Sequence, residues 1–378
     1  MQVKFLKTNI NAGDLKRLIM AVRSGQLISG PYSQEIEQGC RSFFDAPVAV
    51  FMNSATAALH TSLIIAGVKA GDEVITTPVS WVATANVILL CGAMPVFVDV
   101  EPDTGLMDVT KVEAAITPKT KAIIPVHLYG QMVDMKVLMK IANKHRIPVI
   151  EDAAHAFEAT RDGMRPGDLS FSACFSFHAT KNLAAGQSGM LVTRNSEHEE
   201  TIRAIINQGV VRDATGLRHM TMFGYKYASS DIQAALLVGQ LARLKESHAQ
   251  RLALHERYEA LLRARDIRGV KLLQRLSNAD HGAHLFTLRV PSAKRLALIQ
   301  AMGKRGAPAH VHYEPIHLEP FYQKQYGFAR GSMPAAEALG DSILTLPLYS
   351  KLTHAEQDHV VNCLAECLDA LDNQFRAA

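Results

Sequence analysis

The sequence predicts an α/β fold built on a mainly parallel sheet with helices on both faces. Three observations lead there. Up to about residue 176, short β-favouring apolar runs alternate with helical patterns. The runs are almost continuously apolar, as in strands buried on both sides, and do not alternate apolar with polar. Hydroxyl, acidic and aromatic residues gather just past the ends of these runs, where open parallel sheets take their ligands.

Residues 12–24 read as an amphipathic helix that stops at Ser24-Gly25, and Ser29-Gly30-Pro31 reads as a turn. A helix over 34–43 follows, with Ser33 as its candidate cap and Glu35 and Glu37 in a first turn that favours negative charge. Strands are expected over 48–52, 73–77, 94–100, 121–126 and 148–151, and the run 169–175 is another. The intervening helices are placed at 57–65, 81–91, 108–116 (capped by Asp108), 132–145 and 197–207. Residues 208–222 are polar and weakly periodic and read as a loop near the site. Arg212 and Arg218 in it are candidate anion contacts, against a reading as solvated loop charge. Helical pattern then runs from Asp231 to about Arg265, long enough to join two domains. Strands near 283–290 and 309–313 and helices near 293–305 and 354–371 follow, with the loop 312–317 between. A chain of 378 residues exceeds one ordinary core. The expected division is a large domain over 1–240 and a smaller C-terminal α/β domain over 241–378.

The bulk properties exclude more than they identify. Hydrophobic residues make up 48% and charged residues 20%, as in a soluble globular protein. A net charge of +4 is too small to argue for nucleic acid and suits an anionic small substrate equally well. Cys40, Cys91, Cys174, Cys363 and Cys367 are odd in number and scattered, so they are not a disulfide framework. Cys363 and Cys367, one turn apart, read as helix-face residues and not as a metal pair. Met1 to Lys7 lacks the apolar stretch of a signal peptide, and no run is long enough to span a bilayer. The expectation is a cytoplasmic protein with no membrane, nucleic-acid or metal partner.

The chemistry centres on Ser176-Phe-His-Ala-Thr-Lys181-Asn182, just past the strand at 169–175. Alone, Lys181 is either a surface lysine at a strand end or an amine whose pKa a partly dry site lowers until it can form a Schiff base. The other strand ends decide. Asn53-Ser-Ala-Thr56 opens a helix of small residues, and free N–H groups at a helix start hold phosphate. Serine and threonine are also ordinary caps. Trp81, His127 and Asp152 fall at neighbouring strand ends, and Asp152 precedes Lys181 by 29 residues. No G-x-G-x-x-G follows the first strand, and Gly186 and Gly189 are not followed by the Gly-Lys-Ser/Thr of a phosphate loop. A pyridoxal phosphate site needs the parts present. A lysine holds the aldehyde, an acid keeps the pyridine nitrogen protonated, an aromatic stacks on the ring and a helix start takes the phosphate.

The order of these motifs resembles the nucleotide-sugar aminotransferases, fold-type I pyridoxal phosphate enzymes, over nearly the whole chain. The likeness is carried by Ser24-Gly25 with Gly30-Pro31, Asn53 to Leu59, Gly71 to Pro78, Trp81 to Asn86, and Gly92 to Asp99. It continues in Glu151 to Ala156, Phe175 to Asn182, Gly224 to Tyr227 and Asp231 to Ala235. The resemblance implies Lys181 as the Schiff-base lysine and Asp152 as the pyridinium partner. It implies Ala55, Thr56 and Ser176 as phosphate ligands, Trp81 as the stacking aromatic, and His155 near the phenolic oxygen, where many members have Gln. His312 and Gln187 are implied near the substrate. Two departures stand out. Gly186-Gln187-Ser188-Gly189 replaces the usual Gly-Glu-Gly-Gly. Lys226 replaces an Asn that reaches the neighbouring subunit's phosphate, which a lysine could meet as a point charge. The implied reaction carries an amino group from glutamate, released as 2-oxoglutarate, to a nucleotide-linked keto-sugar in a homodimer with shared sites. Trp81 to Asn86 and Phe177-His-Ala are nearest to enzymes acting at C4 of a UDP-linked 4-keto sugar. The competing readings are a sugar dehydratase, which Lys181 opposes because those relatives carry His there, and a member that binds without catalysis.

Overall fold

The computed structural model describes residues 1–377, with side chains described through residue 373. Seven strands form the central layer: β1 (Val48–Met52), β2 (Glu73–Thr76), β3 (Met94–Phe97), β4 (Thr120–Ile124), β5 (Ile150–Asp152), β6 (Ser172–Ser176) and β7 (Gly189–Thr193). Strands β3, β2 and β4 are parallel neighbours, as are β5 and β6. Parallel bridges from Ile123 to Val149 and from Val126 to Asp152 join the two sets. Strand β7 runs against both β6 and β1. The order is therefore β3-β2-β4-β5-β6-β7-β1 with β7 alone reversed, the mainly parallel sheet expected.

Side chains of β1 show why such strands read as unbroken apolar runs. Val48, Val50 and Met52 face one core, whereas Ala49 and Phe51 face another, and all five are buried. The first core is closed by α3 (Ala55–Ile65), α4 (Ala83–Leu90) and α6 (His198–Ile206). Across the sheet lie α2 (Pro31–Phe44), α5 (Met135–His145) and α7 (Asp231–Ala242). Helix α1 (Ala12–Ser24) packs on α7, and Asp14 joins Asn11 in a reciprocal cap at its start.

A separate core gathers around α8 (Leu244–Arg265), a short antiparallel sheet of Lys271–Leu272, Phe286–Arg289 and Ile343–Leu346, α9 (Arg295–Lys304) and α12 (His354–Ala377). Cys363 and Cys367 are packed into it from α12. Helices α10 (Pro320–Tyr326) and α11 (Pro334–Ser342) lie between, and Asp99, just past β3, caps α11 through the amides of Ala335 and Ala336. The N-terminus joins this C-terminal core: Val3 is buried there, and its amide donates to the Gly306 carbonyl.

Several expected elements are corrected. The helix over 108–116 is two 3-10 turns, Val109–Lys111 and Glu113–Ala115; Asp108 caps the first as expected, but its short pattern does not sustain an α-helix. Asp134 caps α5, so that helix starts at 135 and not 132. The long helix of 231–265 breaks at Arg243, whose guanidinium is drawn to Asp14 and the Asn9 carbonyl. The strand expected near 309–313 is a single bridge between His310 and Thr345. The loop of 208–222 carries a small hairpin, Val210–Arg212 against Arg218–Met220.

Candidate active site

The strand ends open into one cavity of about 610 Å³, lined by Ser54, Ala55, Thr56, Trp81, Thr84, Asp152, His155, Ser176, Lys181, Gln187, His312 and Tyr313, among others. Of the residues expected at the site, Ala55, Thr56, Trp81, Asp152, His155, Ser176, Lys181, Gln187 and His312 are on that wall, and His127, Lys226, Arg212 and Arg218 are not.

Its anion end is built by the turn from β1 into α3. The Ser54 side chain accepts from the Ala57 amide, and the Ala55 and Thr56 amides, at the first turn, have no intrahelical acceptor. Gly189 makes room for them. A Cβ there would lie 2.4 Å from the Ala55 nitrogen, so only glycine lets β7 run against the helix start. Ser176, at the end of the adjacent strand β6, adds a hydroxyl to the same wall.

Asp152 ends β5. Alternation along the strand turns Glu151 to the opposite face, where it meets His127. Thr84 donates to Asp152 Oδ2 at 2.7 Å and the Ala154 amide donates to Oδ1 at 3.1 Å. Because Thr84 spends its proton on Asp152, the Ser80 hydroxyl donates to Thr84, at 2.8 Å. Burial pushes the Asp152 carboxyl above its ordinary range, while these two donors and the charge of Lys181 pull it back.

Burial brings the Lys181 amine down to about 7, against the attraction of Asp152. That places the amine where both of its protonation states are populated near neutrality, as a proton-shuttling lysine requires.

The histidines nearby are held neutral by burial and by the neighbouring positive charge of Lys181. His155 lies well below its usual value and His312 falls to about 4. His155 Nδ1 accepts from the Tyr129 amide at 3.4 Å, so its proton sits on Nε2 and donates to the Tyr313 hydroxyl at 3.2 Å. The Tyr313 proton is thereby free to be donated elsewhere. Trp81 is 61% exposed, with its ring centroid 6.1 Å from that of Tyr313, and stands at the mouth of the cavity.

The structure separates four other residues from this cavity. His127, read as a rim residue, is buried behind the sheet, with Nε2 on Glu151 and Nδ1 accepting from the Val133 amide. Glu151 in turn accepts from the Gly167 amide at 2.8 Å, so the pair is satisfied and structural. Lys226 is exposed away from this chain's cavity; its carbonyl accepts from Asn53. Arg212 and Arg218 lie exposed on the hairpin. Sequence reasoning missed Ser80, Thr84 and Tyr313. Thr84 follows Trp81 by three residues, one helical turn, and Tyr313 follows His312, so their motifs were in view while their side-chain directions were not.

These residues fit pyridoxal phosphate. The cavity has unpaired amides at one end, a hydrogen-bonded carboxylate on one wall, and a depressed-pKa lysine whose charge is felt at that carboxylate.

A model of the DegT/DnrJ/EryC1/StrS aminotransferase family matches residues 8–365. The spore coat polysaccharide biosynthesis protein SpsC of Bacillus subtilis is 35% identical over 376 residues, covering 96% of both chains. The putative sugar aminotransferase Spr1654 of Streptococcus pneumoniae, in its apo form, superposes with a TM-score of 0.94 over the full length of both chains at 29% identity. It has also been solved in pyridoxal phosphate and pyridoxamine phosphate forms. PseC of Helicobacter pylori, an aminotransferase of pseudoaminic acid biosynthesis, gives a TM-score of 0.92 at 26% identity, covering 98% of this chain and all of its own.

Proposed function

This chain belongs to the DegT/DnrJ/EryC1/StrS aminotransferase family, with the fold-type I architecture of its pyridoxal phosphate enzymes, and from that premise we propose that it moves an amino group from glutamate to a nucleotide-linked keto-sugar. A UDP-linked 4-keto sugar is the best candidate, and an amino sugar for a cell-surface polysaccharide, lipopolysaccharide included, is the product made in the cytoplasm. The observation that carries the reading is a lysine amine brought to about 7 in the same cavity as a doubly hydrogen-bonded carboxylate.

The residues divide the work. The Ala55 and Thr56 amides and the Ser176 hydroxyl would hold the cofactor's phosphate, with the α3 dipole behind them. Asp152, fixed by Thr84, would hold a proton on the ring nitrogen, and Trp81 would cover a ring face. Bound there, pyridoxal phosphate supplies an electron-accepting ring beside the substrate carbon. Lys181 takes the proton from that carbon and returns it, which an amine half neutral at pH 7 can do in both directions. His155 and Tyr313 stand on the opposite wall, and His312 and Gln187 face the space left for the sugar.

A homodimer is part of the proposal. Lys226 and the hairpin arginines have no role at their own cavity, and exposed apolar side chains on α1 (Leu15, Ile19, Met20) and at Ile28 and Phe223 favour a covered face. In such a dimer Lys226 would reach the partner's phosphate end. The part of the chain up to residue 240 binds the cofactor, and the part from 241 brings His312 and Tyr313. SpsC and PseC, named for polysaccharide and pseudoaminic acid biosynthesis, support the choice of a sugar acceptor.

The test uses the purified, cofactor-loaded chain. Glutamate should convert the bound cofactor to its amine form, read by absorbance, and a panel of nucleotide-linked keto-sugars should return it to the aldehyde form. Borohydride should fix the cofactor to the Lys181 peptide. Conversion by glutamate with no sugar reversing it would refute the acceptor; label on another lysine would refute the site.

A further inference from the structure

We propose that Asn182 is a positioning residue for the reaction: its carboxamide clamps the lysine-bearing loop to Glu158 and to the segment Gly282–His284, fixing the backbone from which Lys181 works. The proposal deepens the aminotransferase reading and depends on it only for the catalytic consequence.

The contacts engage both N–H groups and the oxygen of the amide. Asn182 Nδ2 lies 2.8 Å from the Gly282 carbonyl and 3.0 Å from each oxygen of Glu158, so one N–H goes to the carbonyl and the other is shared across the carboxylate. Its Oδ1 accepts from His284 Nδ1 at 3.2 Å. Asparagine offers two donors and an acceptor on one planar group, which neither Asp nor Leu can match. The anchors are themselves held. Gly282 donates to the Gly130 carbonyl at 2.7 Å. Arg251, buried on α8, donates to the Ala283 and His284 carbonyls. Glu158 lies six residues past Asp152, in the segment that follows β5. The clamp thus ties the β6–β7 loop to the segment that follows β5 on one side and to the C-terminal part of the chain on the other.

The loop needs such a tie. His178, Thr180, Gly186 and Gln187 are exposed, and its other tethers from outside lie toward its far end, Gln240 on both groups of the Ala184 peptide and Gln233 on the Gln187 carbonyl. Asn182 is the one beside the lysine. An amine that must move a proton between two atoms and return works from a fixed base; loss of the base scatters the approach geometry on which such transfers depend.

The experiment compares wild type, Asn182→Ala, Glu158→Gln, Glu158→Ala and the double alanine variant, all as full-length chains checked for folding by melting. Hydrogen exchange of amides 178–183 is read without added cofactor and needs no activity. The exchange rate of the loaded protein with glutamate is read separately. Asn182→Ala should lose at least tenfold in local protection and at least tenfold in the glutamate rate, while still capturing the cofactor on Lys181. Glu158→Gln keeps an acceptor and should stay within about threefold of wild type. Glu158→Ala should fall short of Asn182→Ala, and the double variant should match Asn182→Ala, because the contact is already gone. Unchanged protection in Asn182→Ala, or losses that multiply in the double variant, would overturn the clamp. If protection falls as expected but no variant, wild type included, reacts with glutamate, the clamp stands and the aminotransferase reading fails.

Discussion

Asp152→Asn should lower the pKa of Lys181 still further, and the size of the starting effect makes it measurable. An ordinary lysine, with a pKa of 10.5, is neutral at pH 7 in about one copy in three thousand, whereas an amine at about 7 is neutral in about half. Lower basicity also lowers nucleophilicity; if amines follow the slope of about 0.5 known for thiols, the net advantage of Lys181 toward a small acylating reagent is about thirtyfold at pH 7. Burial lowers the value and the Asp152 charge raises it. Removing that charge leaves the burial effect unopposed, so the midpoint moves down and labelling at pH 6 rises. The assay is trace acetylation of the full chain between pH 5 and 10 with peptide mass spectrometry, Lys16 serving as an exposed comparison. His155, His178, His284 and His312 face the same amine and are disfavoured as cations beside it, so they stay neutral through the upper half of this range. A Lys181 midpoint above about 9, or an upward move in Asp152→Asn, would refute the reasoning.

Three further outcomes are expected. Trp81 is the single tryptophan, so pyridoxal phosphate should quench the protein's emission, and Trp81→Ala should weaken cofactor binding about tenfold, the worth of one ring contact; unquenched emission would place the ring elsewhere. Gly189→Ala puts a Cβ 2.4 Å from the Ala55 nitrogen, backbone against backbone, and should cost at least tenfold in affinity for pyridoxal phosphate while sparing pyridoxal, which has no phosphate to lose; equal losses for both would point to general damage. Mixing inactive Lys181→Ala with Lys226→Glu chains should restore about a quarter of wild-type activity, since half the pairs are mixed and each has one intact site. Recovery near zero would remove Lys226 from the partner's site.

What was legible in the sequence follows the range of the forces involved. Strand burial on two faces writes itself into composition, so β1, Val-Ala-Val-Phe-Met, was readable as a continuous apolar run. A capping side chain also shows locally, as at Asp108, but Asp134 was passed over, so α5 was placed three residues early. The 108–116 segment misled because a cap and a few apolar residues do not distinguish one α-helix from two 3-10 turns. His127 misled because strand-end position says nothing about which face a side chain takes, and its face holds the Glu151 partner.

The sequence alone determined which groups are available: one lysine after an apolar strand, an acid 29 residues before it, and a helix start rich in small hydroxyl residues. It could not determine their environment. Only the tertiary structure decided that Lys181 is dry enough to sit near 7, that Thr84 orients Asp152, and that Asn182 fastens the loop to residues 100 positions away. The physical reason is that type and spacing are local properties of the chain. Desolvation and hydrogen-bond geometry instead depend on what other segments bring within a few ångströms, and that is set when strands and helices distant in sequence pack together.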